Sequence, residues 1–162
     1  MIFIGNLVLK RESHMKLLRN FKKDVADVLI DRNVYTPFPQ YAERLKWERL
    51  DGSLKKLAIE QGEQYLDFQW PLLLATNYMQ FKLNGNRTEY ETPYFLRRRA
   101  LGSLVMAECV EGKGRFLDDI VNGIWIICEE STWTVPAHLP KMHLIKLPSS
   151  DLSPIDLFSA DT

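Results

Sequence analysis

Apolar residues recur every three or four positions through most of the chain, and the recurrences break at proline, glycine and short polar clusters. That pattern predicts consecutive helices joined by short turns. Ser13 stands as an N-cap before a stripe of Leu18, Phe21, Val25, Val28 and Leu29, with Lys22, Lys23, Asp24 and Asp27 off the stripe. Pro37 and Pro39 interrupt the chain; a short helix with Tyr41, Ala42 and Leu45 then runs to about Leu50, where Asp51-Gly52 closes it. Ser53 is placed to cap the next helix, with Leu54, Leu57, Ala58 and Tyr65 inward. Trp70-Pro71 opens another, with Tyr78 and Met79 inward and a stop at Asn84-Gly85. Thr92-Pro93 repeats the cap-then-proline signature before a long helix directing Tyr94, Phe95, Leu101, Leu104 and Val105 to the core. Arg97, Arg98 and Arg99 would then sit near its N-terminus against the helix dipole, at a cost of roughly some tenths of a kcal/mol each, which points to a partner for them.

Gly112 and Gly114 separate that helix from the most apolar one. From Leu117 the sequence places Ile120, Val121, Ile124 and Cys128 on one face, and Ile124 to Cys128 is apolar all round, so a buried helix is expected. It ends in Glu129, Glu130, Ser131 and Trp133; Pro136 blocks continuation and His138 follows. Two carboxylates, an indole and an imidazole at the end of a rigid rod are the makings of a site. Beyond His138 no periodicity returns until Ser153-Pro154, which opens a stripe of Ile155, Leu157 and Phe158. Residues 153–162 are expected to begin a helix that the chain does not finish, and residues 1–12 to be extended or poorly ordered. No strand-like alternation of useful length occurs between Ser13 and Val135, so the fold class expected is all-α, one helical domain over residues 1–162.

Composition narrows the function classes. The 162 residues carry a formal charge of zero, so there is no basic footprint for nucleic acid or an anionic membrane, and an acidic polymer could be held only by a local patch. Met1 to Leu9 is apolar but lacks a basic leader, and neither a signal peptide nor a membrane span is read there. Cys109 and Cys128 lie in apolar helical stretches without metal-ligand spacing; buried, reduced thiols suit the cytoplasm, with a disulfide between neighbouring helices as the alternative. No cofactor or metal motif is present, and His14 and His143 form no usable arrangement.

The stretch Ile127-Cys-Glu-Glu-Ser-Thr-Trp-Thr-Val-Pro-Ala-His138 resembles the N-terminal part of the heparinase II/III-like polysaccharide lyases. So do Pro37-Phe-Pro39, Trp70-Pro71, Gly85-Asn-Arg87, Gly112-Lys-Gly-Arg-Phe116 and Ile155-Asp-Leu-Phe158, in the same order, from about Asn33 onward. Thr132 stands where Ser is usual in that family, and Leu139 where Asn often follows the histidine. The resemblance implies the early part of an incomplete α/α toroid, with 153–162 opening the next toroid helix. It implies β-elimination on uronic-acid-containing sugars, the principal Asn, Tyr and His of that chemistry lying in later helices or beyond. No complete catalytic set is therefore expected in this chain, and no cofactor. The implied partner is an acidic oligosaccharide or polysaccharide, with homo-oligomer formation through exposed toroid faces as a further expectation.

Candidate substrate-binding residues are Glu130, Trp133, His138, Arg98, Arg87 and Tyr78. Glu130 suits sugar hydroxyls, or is a solvated charge at a helix end. Trp133 can stack on a pyranose face, or anchor the loop that carries it. His138 is a donor to an acidic sugar, or a group that fixes the loop by hydrogen bonding. Arg98 and Arg87 fit a carboxylate or sulfate bidentately, or pair with Glu89, Glu91 or Glu108, and Tyr78 has the spacing of a core residue. Asp118 and Asp119 point about 100° apart on a helix, which excludes them as a pair flanking one glycosidic bond. Three readings stay open: a lyase portion, a non-catalytic carbohydrate-binding or protein-interaction module, and an α/α toroid glycoside hydrolase.

Overall fold

The computed structural model describes residues 29–31, 33–139, 147 and 154–162. The expected first helix from Ser13, except its last stripe residue Leu29, which is exposed at a bend, lies outside the described residues, as do residues 1–12, the connection 140–153 apart from Leu147, and His14 and His143. The chain divides between Phe38 and Pro39 into two compact units. In the first, Asp31 forms a local turn: its carboxylate accepts the Asn33 N–H at 2.7 Å, and its carbonyl accepts the N–H groups of Val34 and Tyr35.

The second unit is all-α among the described residues: α1 (Arg44–Glu48), α2 (Gly52–Glu63), α3 (Ala75–Asn84), α4 (Thr88–Glu111), α5 (Leu117–Cys128), a one-turn 3-10 helix (Pro136–His138) and α6 (Leu157–Asp161). Helix α4, 24 residues and about 36 Å long, is the spine against which α1, α2, α3 and α5 pack. One core cluster, Leu104, Ala107 and Phe116, joins α4 to the α5 entrance, with Tyr65, Leu66, Trp70 and Ile120 around it. A second, Tyr78, Tyr90, Tyr94 and Val135, joins α3, α4 and the segment after α5, with Leu73, Phe95, Leu139 and Phe158 packed on it.

Several boundaries differ from the sequence expectation, each for a physical reason. Helix α2 is capped by Asp51, whose carboxylate accepts the Ser53 N–H at 2.8 Å, rather than by Ser53. A carboxylate at the N-cap satisfies both an orphan N–H and the dipole. Its packed side is only partly the predicted one: Tyr65 packs on the Phe116 cluster and Ala58 is half-buried, but Leu54 and Leu57 are exposed and Gly62 is buried against α4. A Cβ built at Gly62 falls 2.3 Å from the Ala107 Cβ, so glycine is what allows the two helices this approach.

Helix α3 starts at Ala75 rather than at Pro71, because the Pro71 carbonyl is taken by Arg97, at 2.8 Å from Nε and 2.5 Å from Nη2. Helix α4 starts five residues before Pro93 would suggest, at Thr88, and runs through that proline. Proline removes the N–H that would reach the Glu89 carbonyl, and the Asn77 side-chain amide approaches that oxygen at 3.5 Å instead. The earlier start also moves Arg97, Arg98 and Arg99 away from the positive pole, so the expected dipole penalty does not apply. At the other end, Gly85 and Gly112 close α3 and α4 in the left-handed conformation, as their positions predicted. Arg44 caps the end of α4 by donating to the carbonyls of Cys109 at 2.8 Å and Val110 at 3.1 Å. The turn into α5 is held by the buried Glu108 carboxylate, which accepts from Tyr41 Oη and the Gly114 N–H, each at 2.8 Å.

Helix α5 has the predicted span but not the predicted burial. Gly123 and Ile127 are buried, Gly123 against the Trp70 ring, while Val121 is 61%, Ile124 50% and Trp125 66% exposed. Leu117 and Cys128 extend the same exposed stripe, so the Cys128 thiol is not in the core. Both cysteines are free thiols, and burial raises that of Cys109. Helix α6 is capped by Asp156, not by Ser153; Ile155 and Leu157 are largely exposed. No helix among the described residues is long and apolar enough to cross a membrane.

Candidate functional site

The chain leaving α5 turns back over α4 and is tied down link by link. Trp133 Nε1 donates to the Ile127 carbonyl at 3.0 Å, satisfying an orphan acceptor at the end of α5. Tyr94 Oη donates to the Trp133 carbonyl at 2.7 Å and Tyr78 Oη to that of Thr134 at 3.3 Å. Held this way, residues 129–132 form one wall of a cleft of about 450 Å³. The facing wall is residues 72–75 with Tyr78 and Tyr90, and Arg97 and Glu130 lie at its polar end.

Glu130 is the electrostatic hub. Its side chain is 2% exposed; Oε1 accepts Arg97 Nη1 at 3.0 Å and Arg98 Nη1 at 3.2 Å, and Oε2 accepts Arg98 Nη2 at 2.7 Å. The Arg98 guanidinium lies 3.4 Å from the centroid of the Tyr94 ring, a cation–π contact, and its Nε donates to Thr162 Oγ1 at 3.0 Å. The Arg97 and Arg98 guanidiniums are balanced by Glu130 and by Glu129 on the rim, so this end of the cleft is polar but carries no net charge. Burial pushes the Tyr78 phenol up to about 12, with the Asp156 charge adding to it, and pushes Tyr90 higher still. Both are neutral donors at ordinary pH rather than bases. The Tyr90 hydroxyl has no hydrogen-bond partner among the described residues, and Glu129 stands exposed on the rim.

The sequence candidates thus separate. Glu130 and Tyr78 line the cleft, and Arg98 holds Glu130 in place. Trp133 has its indole nitrogen engaged and the residue 38% exposed. Arg87 is on another face of α4, paired with Glu91 at 2.7 Å. Asp119 accepts the Asp67 N–H at 3.1 Å and supports that turn. Arg97, expected to have a partner but not counted among the site candidates, is the most deeply engaged arginine. Its adjacency to Arg98 on a helix was the available signal, but nothing local ties it to Pro71 or Glu130.

His138 belongs to a separate cluster. Its Nδ1 lies 2.8 Å from Asp156 Oδ2, and its ring stacks on Phe158 at 5.2 Å. Asp156 also accepts the N–H and hydroxyl of Ser159, at 2.7 and 2.8 Å, and the Val135 N–H at 3.3 Å. Thr134 Oγ1 donates to the Pro154 carbonyl. Burial alone would raise the Asp156 carboxyl, but the bonds from Ser159, His138 and Val135 together hold it below the usual carboxylate range. A depressed native pKa stabilises above the unfolded value, about 3.9, and that contribution disappears as pH falls through the native value. Residues 154–162 are therefore expected to detach from the 3-10 segment below about pH 4. The Ser159 amide should then lose its hydrogen-exchange protection, and Asp156→Asn, which keeps an N-cap acceptor, should remove the acid dependence. Protection of wild-type Ser159 that is flat through that range would contradict the assignment.

No protein-family model and no curated protein matches the chain. Among the described residues no three His, Cys, Asp or Glu side chains converge as a metal site would require.

Proposed function

We propose that this chain is the N-terminal helical portion of a cytoplasmic heparinase II/III-like lyase, acting on uronic-acid-containing oligosaccharides as the early part of an α/α toroid. The observation that carries the reading is that the Glu129–Thr132 part of the most specific sequence element forms a wall of the cleft, with its carboxylate anchored by two arginines. Arg97 is the cation of the polar end, and Tyr90 supplies a hydroxyl with no partner among the described residues. The stripe of Val121, Ile124 and Trp125, together with exposed Ile155 and Leu157, supports the toroid reading, since apolar helix faces of this kind pack on further helices or on another copy.

In β-elimination a base takes the C5 proton, the C5–H electron pair becomes the C4=C5 double bond, the C4–O bond breaks, and an acid protonates the leaving oxygen. This chain's part is to bind and orient. Glu130 is occupied by Arg97 and Arg98, and Tyr78 stays protonated and bonded to Thr134. The same occupation of Glu130 favours the second reading, a non-catalytic carbohydrate-binding or interaction module. It weighs against a hydrolase using Glu129 and Glu130 as its acid and base.

The test is ultraviolet absorbance from new carbon–carbon double bonds with a panel of uronic-acid oligosaccharides, on this chain and on a version extended past Thr162. Activity in the extended form alone is the expected result. Binding without turnover in either form would replace the lyase with the module.

A further inference from the structure

The face of α4 turned away from the cleft's lining residues carries a second hollow, of about 410 Å³, which shares no residue with the first. Arg87, Thr88, Glu91, Thr92, Phe95 and Arg99 line it, at the spacing of one helical face. Glu91 is the anomaly there. The residue is 7% exposed, its Oε2 accepts Arg87 Nε at 2.7 Å, and its Oε1 is buried with no hydrogen-bond partner among the described residues. Leaving a buried carboxylate oxygen unpaired costs roughly 1–3 kcal/mol or more, so a donor is wanted at that point. At the other end Arg99 is exposed and makes no hydrogen bond or ion pair among the described residues. It lies eight residues, about 12 Å, along the axis from Glu91, and helical side chains lean back toward the N-terminus, over Phe95.

We propose that this hollow binds a polyhydroxylated carboxylate such as a two-ring uronate. A sugar hydroxyl would donate to Glu91 Oε1, the Thr88 and Thr92 hydroxyls would meet neighbouring oxygens, and the Phe95 ring would face the C–H side of a pyranose. Arg99 would take the carboxylate as a two-pronged donor. A plain anion would leave Glu91 unsatisfied and be repelled by it, while a neutral sugar would leave Arg99 unused; the pairing of both groups selects a ligand with hydroxyls and a carboxylate. The inference takes its probe from the lyase reading, but its site is separate from the cleft.

The experiment is titration of the full chain with digalacturonate, followed by backbone amide chemical shifts, with lactose as the neutral control. Shifts at Thr88, Thr92 and Arg99 are expected. Arg99→Ala removes an exposed side chain that makes no hydrogen bond or ion pair among the described residues, so it should leave the fold unchanged and weaken binding about tenfold. Thr92→Val should weaken it by a smaller factor, and lactose should bind at least about tenfold less tightly than digalacturonate. Shifts confined to Tyr78, Glu129 and Thr132, with unchanged affinity in Arg99→Ala, would overturn the second site while leaving the lyase reading standing. Absence of any shift at millimolar digalacturonate would also overturn it, and the ultraviolet assay then decides the lyase reading on its own.

Discussion

Glu130→Ala is expected to lower the unfolding free energy by about 3–5 kcal/mol, the cost of removing one partner from a buried, hydrogen-bonded charge cluster. Arg97 drives the effect. Its side chain is 5% exposed and its other donors are fixed on the Pro71 carbonyl, so it cannot turn to solvent when its counter-charge is lost. Arg98, at 17% exposure, has some freedom to do so. The substitution should also loosen residues 129–132 and the start of α3, since Pro71, Arg97 and Glu130 form one chain of bonds. Urea denaturation measures the loss. A triple variant, Arg97→Met and Arg98→Met with Glu130→Leu, should be far closer to wild type, because replacing a buried ion cluster with apolar groups of similar volume is often neutral. If Glu130→Ala loses under about 1 kcal/mol, Arg97 is not confined as described.

Gly62→Val is the second large expected effect. The first carbon added at this position meets Ala107 Cβ at 2.3 Å, the Ser103 carbonyl at 3.2 Å and the Phe116 ring at 3.3 Å. The nearest of these is a short, stiff group on a helix rather than the tip of a long side chain, so α2 itself must move. Overpacking of this kind costs about 1–3 kcal/mol, and the branches of valine put this case at or above the upper end. Gly62→Ala recovers up to about 1 kcal/mol of helix propensity against the same first clash, and should be clearly milder. Thermal melts followed by far-ultraviolet circular dichroism separate the two. Equal melting temperatures for wild type and Gly62→Val would mean that α2 and α4 are not in this contact. Gly52, with no neighbour near an added Cβ, is the control: Gly52→Ala should be benign.

The candidate site was partly legible in sequence. Glu130 and Tyr78 were singled out and do line the cleft. The partners that define what Glu130 can do, Arg97 and Arg98, lie 33 and 32 residues away, and no periodicity relates them. Trp133 and His138 belong to the same sequence element, yet one is bonded to the end of α5 and the other to Asp156. Asp156 was passed over because a Ser-Pro pair three residues earlier offered a more familiar cap signal. What selects Asp156 is the set of donors brought to it by Val135, His138 and Ser159, a convergence of three segments.

The sequence by itself determined that the described chain is helical and where several of its helices stop. Those properties are set by neighbours along the chain: the three-to-four spacing of apolar residues and the left-handed tolerance of Gly85 and Gly112. Only the tertiary structure decided which face of each helix is covered. Periodicity states which residues share a face and is silent on what opposes it, so on α2 Gly62 is buried and Tyr65 just after it packs on the core while Leu54 and Leu57 do not, and α5 leaves Val121, Ile124 and Trp125 exposed. The tertiary structure also carried α4 back across Pro93, because Asn77 on α3 approaches the carbonyl that the proline leaves open, and a hydrogen-bond partner from another helix cannot be read from the segment it stabilises.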